Sequence, residues 1–224
     1  SSGHGSEDTI TDMIRCASES GLSLFGISDH GPATSSSAKP SYFQSLKLAD
    51  RDRFGIRVLY GAELNIINTA GDVDLDDDTL STLDYAIISI HPPIFKPYHD
   101  KDLSSAYIRA MDHPKVRFLG HIDDARFPVD FEYLLEIAKE KHVYPEINNG
   151  SLMPDAYRIN GQENCRRILS ICKKLDLPVL LSSDSHGKKN IGNMQYIFPL
   201  LEELDFPAHL VLNSDLSVLS EIIQ

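Results

Sequence analysis

The feature that most constrains this chain is a regular alternation of amphipathic helical segments with short apolar runs. Ile10, Met13, Ile14 and Ala17 recur at helical spacing behind a Thr9-x-x-Asp12 capping box and ahead of Gly21, which predicts a helix over 9–20. The run 22–28 that follows is short, apolar and bounded by turn residues, as a buried strand is. The same reading predicts strands over 57–64, 85–90, 116–120, 143–147, 178–182 and 210–212. Between them it predicts helices near 42–52, 103–111, 131–141, 162–175, 193–204 and 215–223. Such alternation calls for parallel β/α units, either as an open doubly wound sheet or as a barrel. No Gly-rich nucleotide fingerprint follows the first strand, so an α/β barrel is the expectation. No linker or composition break divides the 224 residues, which read as one domain over 1–224.

Composition matters where it excludes functions. The net charge of −12 leaves no basic field to concentrate a polyanion, which argues against a nucleic-acid partner. No apolar stretch nears the roughly 18 residues of a membrane span, and the opening residues lack the profile of a secretion signal. A cytoplasmic protein without membrane contact is expected. Cys16, Cys165 and Cys172 form no C-x-x-C pair and suggest neither a disulfide framework nor a Cys-based zinc knuckle. The acidic run 74–78 lacks the spaced ligands of a calcium loop and reads as a solvated turn.

Chemistry gathers at the strand ends. The predicted strands run into His30, His91, His121 and the pair Asp184 and His186, and one of them carries Glu63 near its end. In barrel enzymes the C-terminal ends of several strands jointly build the active site. Imidazole and carboxylate are ligands of Zn, Mn and Fe, so this placement reads as a divalent-metal cluster. One ion needs three or four ligands. The seven candidates His4, His30, Glu63, His91, His121, Asp184 and His186 suggest more than one ion and the two-metal style of phosphoryl hydrolysis. His99, His113, His142 and His209 lie in loops or beside helix ends and read as ordinary polar side chains, although His99 follows the His91 strand closely enough to face the pocket. No G-x-S-x-G elbow, Walker A loop or H-E-x-x-H is present.

The segments GISDHG, YGAELNI, ISIHPPIF, EINNGS, QENCRR and SSDSH, in this order and spacing, resemble the PHP (polymerase and histidinol phosphatase) family, and most of all its YcdX-type phosphatases. The resemblance spans nearly the whole chain and implies a distorted (β/α)7 barrel with a trinuclear metal site that hydrolyses phosphoesters. Carried over, His4, His30 and His186 hold one ion. His91 and His121 hold a second with Glu63, which bridges to a third ion also bound by Asp184. Glu63, Asp184 and His186 are then the residues expected to carry catalysis, with two or three Zn, Mn or Fe ions per chain. Asn148 and Asn149 are expected nearby as hydrogen-bonding groups, and Arg158, Arg166, Lys188 and Lys189 are candidates to neutralise phosphate.

The expected function is metal-dependent hydrolysis of a small phosphorylated metabolite. A PHP-type nuclease on DNA ends and a catalytically silent metal-binding module are the alternatives. One departure stands out: the H-x-H pair of the family's first strand is absent from these 224 residues. The barrel read here therefore lacks that strand, and a preceding segment with an Asp-x-His-x-His pattern is expected. An N-terminally extended chain carrying it should melt at a higher temperature, hold more metal and release phosphate faster; equal values for the two chains would contradict this reading.

Overall fold

The computed structural model describes residues 8–35, 37–92, 94, 95 and 101–223. Among these described residues there are seven strands: β1 (Leu24–His30), β2 (Asp52–Arg53), β3 (Ile56–Asn65), β4 (Tyr85–Ser89), β5 (Val116–Leu119), β6 (Tyr144–Asn148) and β7 (Leu180–Ser182). The helices are α1 (Ile10–Glu19), α2 (Pro40–Ser45), α3 (Asp77–Leu80), α4 (Ser104–Ala110), α5 (Phe131–Glu140), α6 (Gly161–Leu175), α7 (Ile197–Glu203) and α8 (Leu216–Ile223). The strands pair in the order β1-β3-β4-β5-β6-β7, all parallel, with the two-residue β2 antiparallel beside β3. Each crossover advances in one direction and the order never reverses. A doubly wound sheet would reverse at its switch point, whereas this progression curls. The result is a distorted half-barrel with helices packed around it, a (β/α)-type barrel that stays open between β1 and β7 among the described residues.

Strand periodicity of two sorts the side chains onto two faces. Val58, Leu64, Ile88 and Leu119 point outward and pack with Ile14, Leu134 and Ile168 of the surrounding helices. Leu59, Tyr85, Ile87 and Phe118 point inward, where Leu219 and Ile223 of α8 meet them at the N-terminal end of the strands. The Tyr85 ring needs space inside the curl, and glycines provide it. A Cβ on Gly61 would stand 2.7 Å from the Tyr85 carbonyl oxygen, and one on Gly26 would stand 2.7 Å from its hydroxyl. Farther along the same inward rows come His30, Glu63 and Asn65, so the polar end of the interior lies opposite α8. A cavity of about 280 Å³ runs between the two ends beside β1 and β7.

Two predicted elements differ. The helix expected over 42–52 stops at Ser45 and passes into a single 3-10 turn. Arg51 folds back so that its Nη1 donates to the carbonyls of Leu46 (2.9 Å) and Ala49 (2.7 Å), acceptors a continuing helix would need. The strand expected over 210–212 is instead two 3-10 turns joined by one bridge from Val211 to Val179. Beside it the Asn213 carboxamide stands in for a strand backbone: Leu181 N donates to Asn213 Oδ1 (2.7 Å), and Asn213 Nδ2 donates to the Leu181 carbonyl (3.0 Å).

Ile88, fully buried on β4, tests the outer packing. Ile88→Ala is expected to lower unfolding free energy by about 2–5 kcal/mol, read from urea denaturation.

Candidate metal centre

Register builds the site. In the β1–β3 ladder His30 is the direct partner of Glu63, so two inward side chains arrive side by side at the strand ends. The turn after β4 supplies His91, and the turn after β5 supplies His121. Their atoms converge on one carboxylate: Glu63 Oε2 lies 3.1 Å from His30 Nδ1, and Oε1 lies 3.3 Å from His91 Nε2 and 3.0 Å from His121 Nε2. The His91 and His121 Nε2 atoms are 3.2 Å apart. Burial pushes the Glu63 carboxyl up, yet the charges of His30 and His91 and hydrogen bonds from His121 and His91 together bring it well below the ordinary carboxylate range.

Fit to a cation can be judged from the donor set itself. His30, Glu63 and His91 each offer one ligand atom, all within 4.8 Å of one another, and two imidazoles with a carboxylate suit a borderline divalent ion. His121 borders this triad through Glu63 and His91.

Asp184 and His186 lie on the loop after β7. Asp184 Oδ2 accepts from Arg158 Nη2 (2.9 Å) and Asn148 Nδ2 (3.1 Å). Burial raises this carboxyl, but Arg158, with help from His186 and His121, brings it below its usual value. The His186 ring is 6.0 Å from that of His30, and its side chain is 47% exposed at the rim. His121 and Asp184 adopt left-handed backbone, at φ of 29° and 47°. Each such non-Gly residue costs roughly 1–3 kcal/mol and persists where surrounding contacts over-determine it. Here the contacts are visible, since His121 N donates to Glu146 Oε2 at 2.8 Å and Asp184 is clamped by Arg158 and Asn148.

Thus six of the seven expected residues sit at this end of the sheet, around the triad or on the adjoining β7 loop, while His4, like His99, lies outside the described residues. Of the basic candidates, Arg158 is buried against Asp184. Arg166 is engaged by Glu203 and Glu163 on the outside of α6, Lys188 pairs with Asp8, and Lys189 is exposed. Asn148 joins the site; Asn149 accepts from the backbone of Tyr196 instead (3.0 Å). Sequence reasoning missed Glu146, which is buried on β6 and accepts from His121 N, Ser182 Oγ and Asn148. Its signal was present, as the carboxylate opening the EINNGS segment.

A parallel half-barrel with a His/Glu centre at its strand ends defines a barrel protein of the metal-binding type. The PHP domain model matches residues 1–150, and the chain belongs to that family. It is 36% identical over 214 residues to a probable phosphatase of Clostridium acetobutylicum, covering 96% of this chain and 86% of the relative. It is 32% identical over 223 residues to a probable phosphatase of Acetivibrio thermocellus, covering 100% of this chain and 91% of the relative. Among solved structures, histidinol phosphate phosphatase from Lactococcus lactis, complexed with zinc, L-histidinol and phosphate, superposes with a TM-score of 0.60 at 18% identity, covering 92% of this chain and 91% of that one. A chain in archaeal ribonuclease P with mature tRNA superposes at 0.63 with 17% identity, covering 96% and 87%. These two likenesses are of fold.

Glu63→Gln removes the charge that the three imidazoles surround. Metal analysis after dialysis is expected to show affinity for Zn²⁺ reduced by more than roughly 10-fold, the scale already lost when only an outer partner of a ligand is removed; unchanged metal content would exclude Glu63 as a ligand.

Proposed function

We propose that this chain is a metal-dependent phosphatase of the YcdX type, acting on a small phosphorylated metabolite at a centre of two or three divalent ions. The observation that carries the reading is the convergence of His30, His91 and His121, from three different strand ends, on the single buried carboxylate of Glu63. Relatives named probable phosphatases, matching nearly the whole chain, support the reaction class. Divalent ions at such a centre supply Lewis-acid neutralisation of phosphoryl oxygens and a nucleophilic water at neutral pH.

The chain's own residues have distinct tasks. His30, Glu63, His91 and His121 form one group of ligands, with the two oxygens of Glu63 facing different imidazoles and so able to serve two ions. Asp184 and His186 close the β7 side. Arg158 holds Asp184 in place and brings a guanidinium to the same region, where it adds positive charge for an incoming phosphate. The walls of the cavity below, including Ile27, Leu59 and Leu181, are largely apolar and shield the centre from bulk water on that side. The protein works in the cytoplasm, within a single domain, and its partner is a small molecule rather than a nucleic acid.

Full-length protein reconstituted with Zn²⁺, Mn²⁺ or Fe²⁺ should release phosphate from a panel of phosphorylated metabolites, and chelation should abolish that release. Glu63→Ala should cost more turnover than His186→Ala, because a bridging carboxylate serves two ions and the rim imidazole one. Cleavage of an oligonucleotide in preference to every phosphomonoester would replace this reading with a nuclease, and bound metal without turnover would replace it with a silent binding module.

A further inference from the structure

The acidic run 74–78 does not behave as one solvated turn. Asp76 caps α3 through Thr79 N, and Asp77 and Asp78 are exposed. Asp74 turns inward instead. Its Oδ1 accepts from Asn65 N (2.9 Å), while its Oδ2 accepts from Ala33 N (2.9 Å) and from Asn65 Nδ2 (2.6 Å). The space it occupies is reserved: a Cβ on Gly31 would stand 2.2 Å from Oδ1 and 2.3 Å from Oδ2.

This carboxylate settles which way the Asn65 amide faces. Both Asp74 oxygens accept from backbone N–H groups, so the amide atom against Oδ2 is the NH2, which also points at the Gly31 carbonyl (3.4 Å). The amide oxygen is left to accept on its other side. There it meets Thr34 Oγ1 at 3.2 Å and His91 Nδ1 at 2.8 Å. Asn65 is fully buried, so no water competes for these positions. In the neutral ring His91 Nδ1 must therefore carry the proton, which leaves the lone pair on Nε2, where His121 Nε2, 3.2 Å away and 3.0 Å from Glu63 Oε1, is the donor that faces it.

We propose that Asp74 is a positioning residue for the metal centre: acting through Asn65, it fixes the tautomer and ring orientation of His91 so that Nε2 is the atom offered to a divalent ion. The role of Nε2 toward an ion rests on the proposed metal centre; the Asp74–Asn65–His91 relay stands on hydrogen-bond chemistry alone. Ligating histidines commonly have their second nitrogen fixed by a carboxylate or carbonyl. In this chain the carboxylate stands one amide farther out and is delivered by the loop between β3 and α3.

The test starts from metal-free, ¹⁵N-labelled full-length protein at a pH where the imidazoles are neutral. Long-range ¹H–¹⁵N spectra, with His91 assigned by comparison with His91→Gln, should show Nδ1 protonated and Nε2 bare. Asp74→Asn can present either end of its own amide, so Asn65 is released and His91 should become a mixture of tautomers. Zn²⁺ affinity of this variant, measured by competition with a chelating dye, should fall about 10- to 100-fold. A wild-type His91 protonated at Nε2 overturns the proposal without any variant having to fold, as does an Asp74→Asn protein with the wild-type tautomer and affinity. The tautomer shift without Zn²⁺ binding in either protein would uphold the relay and overturn the metal-centre reading.

Discussion

The structure depends on how the Glu63 carboxylate is kept ionised inside the protein. Withdrawing such a group from water costs several kcal/mol, and only close, well-aligned partners repay it. Here the partners are imidazoles contributed by β1 and by the turns after β4 and β5, so the compensation needs three separate strand ends to arrive at one point. Parallel pairing makes that arrival possible, because each strand presents the same end to the same face. The His30–Glu63 register is the tightest link: a slip of β1 by one residue would turn His30 into the helical layer and away from Glu63.

Backbone strain appears where this arrangement meets the loops. His121 and Asp184 both take left-handed conformations directly after their strands, and both are held by groups that belong to the site, Glu146 for one and Arg158 with Asn148 for the other. The half-barrel divides its labour along the strand axis. Apolar packing of Tyr85, Phe118 and α8 fixes the N-terminal end, and the strand positions it fixes determine where the polar end converges.

Much of this was legible in the sequence because strand ends carry position with them. An apolar run followed at once by a histidine says both that the residue is near the sheet and that it lies at the functional end, which located His30, His91 and His121. Loop residues carry no such marker. Arg158 in sequence is indistinguishable from Arg166, yet one is buried on Asp184 and the other ion-paired on the outside of α6. Asp74 was equally illegible, since its neighbours Asp76, Asp77 and Asp78 are exposed and only the absence of a Cβ at Gly31 leaves room for it to turn in. The helix and strand that failed did so for tertiary reasons: Arg51 captured the carbonyls of one, and a side-chain amide at Asn213 replaced the ladder of the other.

The charge balance of the site also argues for a cation. Asp29, Glu63, Asp123 and Glu146 are buried there and Asp184 is partly buried, while Arg158 is the guanidinium that pairs with this group among the described residues. Burial raises Asp29 and Glu146 and pushes Asp123 up to about 6, against the pull of Tyr42, His121 and Arg158 respectively. So many desolvated carboxylates around so little fixed positive charge is an expensive arrangement if the imidazoles must supply the rest by taking up protons. A divalent ion held by His30, Glu63 and His91 would change the sign of that cost: the histidines would stay neutral as ligands and the carboxylates ionised, so that a cluster of mutually repelling acids would become the outer wall of a binding site.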